Sequence, residues 1–203
     1  MRNYARIGVA SGAIALSLTL AACGGNSTSS TSSTATTAPR TSTSTSVDAT
    51  HNAADVSFTQ SMIVHHQGAI QMAQVAEKQA STQQVKDLAK RIEAAQGPEI
   101  DEMTSWLKAW GEPGPASGSM GNMGSGAMGM MTDEQMNQLM GAQGTNFDRM
   151  FLEMMTIHHQ GAIEMAKTEQ ANGSNPQAKA LAQSIETSQT AEVTEMAQML
   201  KNL

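Results

Sequence analysis

Two pairs of adjacent histidines are the residues of this chain whose type and spacing best suit chemistry. Residues 62–73 read MIVHHQGAIQMA, and residues 155–166 repeat the block as MTIHHQGAIEMA. Imidazole is a common ligand of transition metals, and the thioether of methionine is a soft ligand suited to Cu(I). The histidines and methionines of both blocks are therefore candidate metal ligands.

The two blocks belong to a longer internal repeat. Residues 55–107 align with residues 148–200 without a gap, at a constant offset of 93, and somewhat fewer than half of the aligned positions are identical. The later half of each repeat carries recurring amide, acidic and thioether side chains, namely Gln96, Glu99, Glu102 and Met103, then Gln189, Glu192, Glu195 and Met196. Two copies of one sequence unit therefore make up most of the chain after the first fifty residues.

Each repeat has the periodicity of two helices. Spacings of four and three, which mark one helix face, relate two series of residues: Phe58, Met62, His65, Ala69, Met72 and Ala76, then Leu88, Ile92, Gln96, Glu99, Met103 and Trp106. Turn and cap residues separate the two series at 80–82, and again at 172–176 in the second copy. Each repeat is therefore predicted to be a helical hairpin.

The predicted fold is all-α, an antiparallel four-helix bundle built from two duplicated hairpins within residues 51–203. Hairpin 1 spans about 53–110, a Gly/Met-rich linker spans 111–131, and hairpin 2 spans about 132–203. Each hairpin would cover the apolar face of the other, since neither can bury its own face alone. The sequence has no sustained two-residue alternation of the kind that predicts strands.

The candidate ligands fall at one level of this bundle. Counting back from the turn of an antiparallel hairpin places the first His-His pair opposite residues 95–97, and Met62 opposite Glu99. The polar level therefore has these members: Met62, His65 or His66, Gln96, Glu99 and Met103, with Met155, His158 or His159, Gln189, Glu192 and Met196 as the duplicate. A carboxylate buried there needs a histidine, an amide or a cation beside it.

One histidine of each pair is expected to face the core, because adjacent helical residues point about 100° apart. The spacing slightly favours His65 and His158 and leaves His66 and His159 open. A bundle without metal is the alternative interpretation. Methionine at helical spacing usually fills a core, and a His–Glu pair can fix the register of two helices.

A second group of methionines lies in the linker between the hairpins, where glycine is abundant and there is no core to fill. Its members are Met120, Met123, Met128, Met130 and Met131. Thioethers and imidazoles together favour copper over magnesium, calcium or zinc, so this segment is a candidate loop for capturing Cu(I). The alternative is a low-complexity linker in which the methionines arose by neutral drift or serve to consume oxidants.

The first fifty residues predict export and a lipid anchor rather than folded structure. Arg2 and Arg6 precede an apolar stretch, residues 7–20, and Leu20-Ala21-Ala22-Cys23 has the lipobox pattern of bacterial lipoproteins. Residues 1–22 are therefore a predicted signal peptide, and Cys23 is the predicted lipidation site. Residues 23–50, rich in serine and threonine, form a predicted disordered tether. The protein is expected at the outer face of the cell membrane.

Several other classes of function have no support in the sequence. The net charge is -6 and no basic cluster follows the signal peptide, which argues against binding nucleic acid. No cysteine nucleophile or phosphate-binding motif with its lysine occurs. A carboxylate-bridged di-metal enzyme would need Glu-x-x-His motifs, which this chain lacks. The protein is therefore predicted not to be an enzyme.

The block Met-x-x-His-His-Gln-Gly-Ala-Ile-x-Met-Ala, followed by Gln-x-x-Glu-[Ile/Val]-x-Glu-Met, resembles the domain of unknown function 305 family over residues 53–203, in two copies. The resemblance implies an exported protein with a ferritin-like four-helix bundle, and some His/Met-rich members are associated with copper binding and copper resistance. It carries the following motif positions onto this chain: Met62, His65, His66, Met72, Glu99, Glu102 and Met103, then Met155, His158, His159, Met165, Glu192, Glu195 and Met196.

The leading hypothesis is a membrane-anchored, extracytoplasmic protein that binds or buffers a copper ion and confers copper tolerance. Histidine and methionine would be the ligands, and Glu99 and Glu192 would orient a histidine or bind a harder ion directly. The alternative is a structural or interaction module of the cell envelope without a metal. The sequence identifies no protein partner and does not decide whether the protein forms a homo-oligomer.

Overall fold

The computed structural model describes residues 46–115 and 129–203, and within these ranges the chain is helical and has no strand. Its helices are α1 (Ala53–Gln79), α2 (Gln83–Trp110), α3 (Asp133–Gly141), α4 (Gly144–Asn172) and α5 (Pro176–Asn202). The predicted signal peptide, Cys23, most of the predicted tether, and Met120, Met123 and Met128 lie outside the described residues. None of the helices described has the length and hydropathy needed to cross a bilayer.

Local sequence signals set the helix ends. The side chain of Asn52 accepts hydrogen bonds from the first turn of α1, and the Asp55 carboxylate accepts one from the Asn52 backbone N–H, which completes a capping box. The Asn175 side chain caps α5 by accepting hydrogen bonds from the backbone N–H groups of Gln177 and Ala178, with Pro176 in the first turn. After α2, Gly111 adopts a φ of 74°, a left-handed conformation that glycine adopts without a steric penalty.

The helices pair α1 with α2 and α4 with α5 as hairpins, and the hairpins meet mainly through α1 and α4. The predicted all-α, bundle-like fold is confirmed. The separate helix α3 was not predicted. Its nine residues are too few for a clear periodicity, and it is held by a Thr132–Gln135 capping box and by Leu139, which is fully buried.

Two apolar clusters occupy opposite halves of the bundle, and the repeat relates them. One holds the later half of α1 and the early half of α4, with Met72, Leu88 and Phe151 among its members. The other holds the early half of α1 and the later half of α4, with Phe58 and Ile185 among its members. Between these clusters lie the buried histidines and glutamines, so the bundle has a polar middle layer.

Two buried aspartates fasten the hairpins to each other reciprocally. Asp148, at the start of α4, accepts bonds from the Ser81 backbone N–H (2.7 Å), the Ser81 hydroxyl (2.8 Å) and the Thr82 backbone N–H (2.9 Å) in the α1–α2 turn. Asp55, its repeat equivalent in α1, accepts bonds from the backbone N–H groups of Ser174 (3.0 Å) and Asn175 (2.9 Å) in the α4–α5 turn. Each hairpin therefore binds the turn of the other through a buried aspartate.

Replacing Asp148 should loosen this contact. Burial works to raise the pKa of Asp148, but the hydrogen bonds from Ser81 and Thr82 outweigh it and lower the pKa. The aspartate therefore adds stability above its unfolded pKa, and this contribution is lost as pH falls through the folded pKa. We expect Asp148→Ala to lower the free energy of unfolding by about 1–3 kcal/mol at pH 7, measured by urea denaturation.

The difference between wild type and Asp148→Ala should shrink as the pH falls below 3.8, the ordinary aspartate value. Asp101→Ala, at an exposed position of α2, is the matched control and should change stability little. Equal losses in both variants would show that Asp148 does not hold the α1–α2 turn.

Candidate metal centre

The polar layer centres on two histidines that face each other across the hairpins. His65 of α1 and His158 of α4 have ring centroids 3.7 Å apart, with an angle of 45° between the rings. These two residues occupy equivalent positions of the repeat, and α1 and α4 run antiparallel. They therefore lie beside the pseudo-two-fold axis that relates the hairpins, so the duplicated motifs meet in one layer.

The other histidine of each pair binds a glutamate of its own hairpin. His66 Nε2 lies 2.8 Å from Glu99 Oε2, and His159 Nε2 lies 2.7 Å from Glu192 Oε2. Both imidazoles are fully buried, whereas the glutamate side chains are about one-fifth exposed. Each carboxylate thus fixes the orientation of a buried ring and leaves its Nδ1 toward the interior of the protein.

All four paired histidines are buried, with relative exposures of 0% or 1%. The expectation that a single histidine of each pair would face the core was wrong. It assumed one contact surface for α1, but at this level α1 packs against both α4 and α2. Two residues about 100° apart on one helix can therefore both be buried.

Burial keeps at least one of these rings neutral. The pKa of His158 lies well below its ordinary value, first because burial penalises the charged imidazolium, and then because His65, His159 and His66 would repel its charge. A backbone group of His65 works weakly in the opposite direction. A neutral imidazole has a lone pair to offer, which is the form that binds a metal.

Several nitrogen and oxygen atoms of the layer that are suited to binding a metal have no hydrogen-bond partner among the described residues. They include Nδ1 of His66 and His159 and the side-chain oxygens of Gln96 and Gln189. Buried polar atoms without partners are costly in an apolar interior. A metal ion would satisfy such atoms, so the donor set fits one.

Four of the predicted methionines border the layer. Met62 and Met103 belong to one apolar cluster, Met155 and Met196 belong to the other, and all four are fully buried. The Thr156 hydroxyl, which donates to the Leu152 carbonyl at 2.7 Å, lies 3.8 Å from the Met196 sulfur, so this thioether lies next to α4. Soft sulfur ligands therefore lie on both sides of the imidazoles.

The remaining predicted site residues lie elsewhere. Met72 and Met165 come seven residues after His65 and His158, about 10 Å along the helix axis, and pack in the apolar clusters. Glu102 is exposed, and Glu195 pairs with Arg91 at the surface. Met130 and Met131 are partly buried beside α3.

Within residues 46–115 and 129–203, no group of three or more His, Cys, Asp and Glu side chains has the arrangement of a metal site. The layer also contains thioethers and amide oxygens. The sequence analysis did not predict how closely α4 approaches α1. A Cβ atom at Gly68 would lie 3.4 Å from His158 Nε2. The glycine that follows each His-His pair was the available signal.

Comparison with known proteins identifies the family and supports the fold. The family described as Domain of unknown function (DUF305) matches residues 55–200. CopM in its Cu(II)-bound form is 37% identical, with a TM-score of 0.65, covering 73% of this chain and 96% of that one. CopM has also been solved in Cu(I)-bound and Ag-bound forms.

A DUF305 protein from Streptomyces coelicolor, described as secreted, is 33% identical, with a TM-score of 0.67, covering 73% of this chain and 93% of that one. A DUF305 fragment from Deinococcus radiodurans is 28% identical, with a TM-score of 0.66, covering 75% of this chain and 98% of that one. No curated protein sequence matches significantly. The chain belongs to the DUF305 family and is homologous to CopM, which has been solved with copper, with silver and in an apo form.

Proposed function

We propose that this protein binds a copper ion in the polar layer between its hairpins and buffers it outside the cytoplasm. The observation that carries the proposal is the burial of four histidines in one layer, two of them oriented by glutamates. Burying so many polar groups without a ligand would weaken the bundle. A bound cation would offset that cost.

The glutamates fit a supporting role better than direct binding. A metal-binding histidine commonly donates its second ring N–H to a carboxylate, which fixes the ring and makes the other nitrogen a better donor. His66 and His159 have this arrangement, with Glu99 and Glu192 at Nε2. Their Nδ1 atoms would then be left to bind the ion. Binding it together with His65 and His158 would require the rings to move, because no three such side chains of the described residues have the arrangement of a metal site.

The proposed ligands include sulfur as well as nitrogen. Met62, Met103, Met155 and Met196 flank the imidazoles, and soft thioethers favour Cu(I), whereas imidazole also suits Cu(II). The likeness to CopM, solved with Cu(I), Cu(II) and silver, supports this choice of ion. Met72 and Met165 are left out of the ligand set because they lie about two helical turns away.

The Gly/Met-rich linker would deliver copper to the layer. Gly129, the first described residue after Pro115, lies against α4. A Cβ atom there would collide with the Ile157 carbonyl oxygen and lie 3.0 Å from His158 Cα. Its φ of 76° suits glycine, so the chain can pass close to the backbone of the second His-His pair. Methionines next to this glycine would be well situated to transfer the ion.

Anchoring through Cys23 completes the proposal. The residues before α1 are held at one end of the bundle, where Trp110 Nε1 donates to the Asp48 carbonyl at 2.9 Å and the Asp48 N–H donates to Gln177 at 2.7 Å. A lipid on Cys23 would hold the protein, and with it the copper site, at the outer face of the cell membrane. The secreted DUF305 relative supports export.

The copper proposal is tested by an anaerobic competition titration of the purified chain with Cu(I) and a chromophoric chelator. The quadruple variant His65→Leu, His66→Leu, His158→Leu and His159→Leu keeps the layer filled but removes its imidazoles. We expect the wild type to withdraw Cu(I) from the chelator and the variant to lose most of this capacity while its circular dichroism stays helical.

The matched control is His51→Leu, which removes the fifth histidine. His51 stacks on Trp110 at the end of the bundle, with ring centroids 4.7 Å apart, and should not affect copper uptake. Failure of the wild type to compete with the chelator would instead favour a structural or interaction module.

The supporting role of the glutamates has its own test. Glu99→Gln with Glu192→Gln keeps the size of both side chains but removes the negative charge behind each imidazole. We expect copper affinity to fall by about 10–100-fold, because carboxylates in this position commonly contribute that much. Glu102→Gln, one turn away on the exposed face of α2, should leave affinity unchanged. An unchanged affinity in the double variant would rule out this role.

The anchor is tested by cell fractionation. We expect the wild-type protein in the membrane fraction and Cys23→Ser in the soluble extracytoplasmic fraction, because the serine hydroxyl cannot replace the lipidated thiol. Ser46→Ala, which alters the later part of the predicted tether, is the control. Membrane association that survives Cys23→Ser would contradict lipidation at this residue.

A further inference from the structure

The two ends of the bundle differ at a buried position that the repeat should make equivalent. At the Asp148 end, the last turn of α1 carries Ala76, and Ala80 follows the helix. At the Asp55 end, the equivalent positions of α4 carry Glu169 and Gly173. The Asp148 contact holds its turn without a second acid, so Glu169 is not needed merely to join the hairpins.

Glu169 is 1% exposed, and no N–H or hydroxyl group among the described residues donates to either carboxyl oxygen. A Cβ atom at Gly173 would collide with the Glu169 carboxyl group and lie 2.8 Å from Asp55 Oδ1. The carboxyl groups of Glu169 and Asp55 therefore share one small space. Glycine leaves room there, where the first repeat has alanine.

Two adjacent buried carboxyl groups cannot both carry a charge without strong repulsion. Burial first, and then the hydrogen bond and charge of Asp55, raise the pKa of Glu169 to about 8. Asp55 stays ionised, since bonds from Glu169 and from backbone N–H groups outweigh its burial and hold its pKa at about 2. Lys179 of α5 attracts the ionised Glu169 and opposes part of the shift.

The same aspartate is linked to the segment that precedes α1. The Asn175 backbone N–H donates to Asp55 at 2.9 Å, and the Asn175 side chain donates to the carbonyls of Asp48 at 3.1 Å and Thr50 at 2.7 Å. A disturbance at Glu169 therefore reaches residues 46–50 through Asp55 and Asn175. No corresponding chain segment is attached to the Asp148 contact in the hydrogen bonds of the described residues.

We infer that Asp55 and Glu169 form a proton-dependent latch, which holds the α4–α5 turn and the segment before α1 together when Glu169 is protonated and loosens when that proton is lost. The protonated Glu169 donates to the Asp55 carboxylate and fastens α4 to α1. After ionisation, two negative charges lie together on side chains that are almost completely buried. This end of the bundle then opens more readily, and the Asp148 end does not.

The direction of the pH effect follows from linkage. When the latch opens, the Glu169 carboxyl regains an ordinary pKa near 4.5, so the closed form binds the proton more tightly. Opening should become about tenfold more favourable per pH unit between roughly pH 5 and 8, and then level off. Lys179 and the exposed Glu164 are charged groups that lie beside Glu169.

Hydrogen exchange of the full chain, followed by mass spectrometry and corrected for the intrinsic rate at each pH, tests the latch. Between pH 5.5 and 7.5, we expect protection of the first turn of α1 and of residues 173–175 to fall about tenfold per pH unit. Protection around residues 81–82 should change little. In Glu169→Gln, whose neutral amide can donate to Asp55, protection at both ends should be independent of pH. The same decline in Glu169→Gln, or equal declines at both ends of the wild type, would overturn the proposal.

A second comparison uses the first repeat as its template. Gly173→Ala should destabilise the protein, because the new methyl group displaces the Glu169 carboxyl. Glu169→Ala with Gly173→Ala reproduces the Ala76 and Ala80 pair of the other end and should restore stability. The double variant should also lack the pH dependence of exchange. A double variant as unstable as Gly173→Ala would mean that Glu169 is not what occupies the space beside Gly173.

Discussion

The antiparallel contact between α1 and α4 is the interaction on which the rest of the structure depends. It brings His65 against His158, it puts Asp55 and Asp148 within reach of the opposite turns, and it divides the apolar core into two clusters. Hairpin formation alone would give each repeat a His–Glu pair but would leave its second histidine facing water. Only the pairing of α1 with α4 encloses all four imidazoles.

This arrangement places polar side chains, which are costly to bury, in the middle of the bundle. A layer of leucines at the middle of the bundle would pack without orphaned polar atoms and would cost nothing in desolvation. The protein instead buries imidazoles and amides there and recovers stability at its ends, where charged aspartates accept several hydrogen bonds each. The apolar clusters and end contacts thus offset the cost of burying polar side chains in the middle layer.

The repeat and its periodicity were enough to predict the fold class and to bring the His-His pairs to the level of Gln96 and Glu99. They could not predict that both histidines of a pair are buried, because helical periodicity identifies the stripe of one helix and not the number of helices that surround it. α3 is too short for its pattern to stand out. The contacts of Asp55, Asp148 and Glu169 join residues far apart in sequence, and nothing in local spacing signals them.

The pseudo-two-fold axis through the His65–His158 contact also bears on the history of the chain. When equivalent residues touch each other across an axis, the interface has the form of an isologous dimer, in which one surface patch meets its own copy. A single ancestral hairpin assembling in this way would have its layer of buried histidines complete only in the pair. Covalent joining then freed each half to diverge, and it is the second copy that carries Glu169 and Gly173 and is preceded by α3. Descent from such a homodimer accounts for a centre that remains symmetric inside a protein whose ends no longer match.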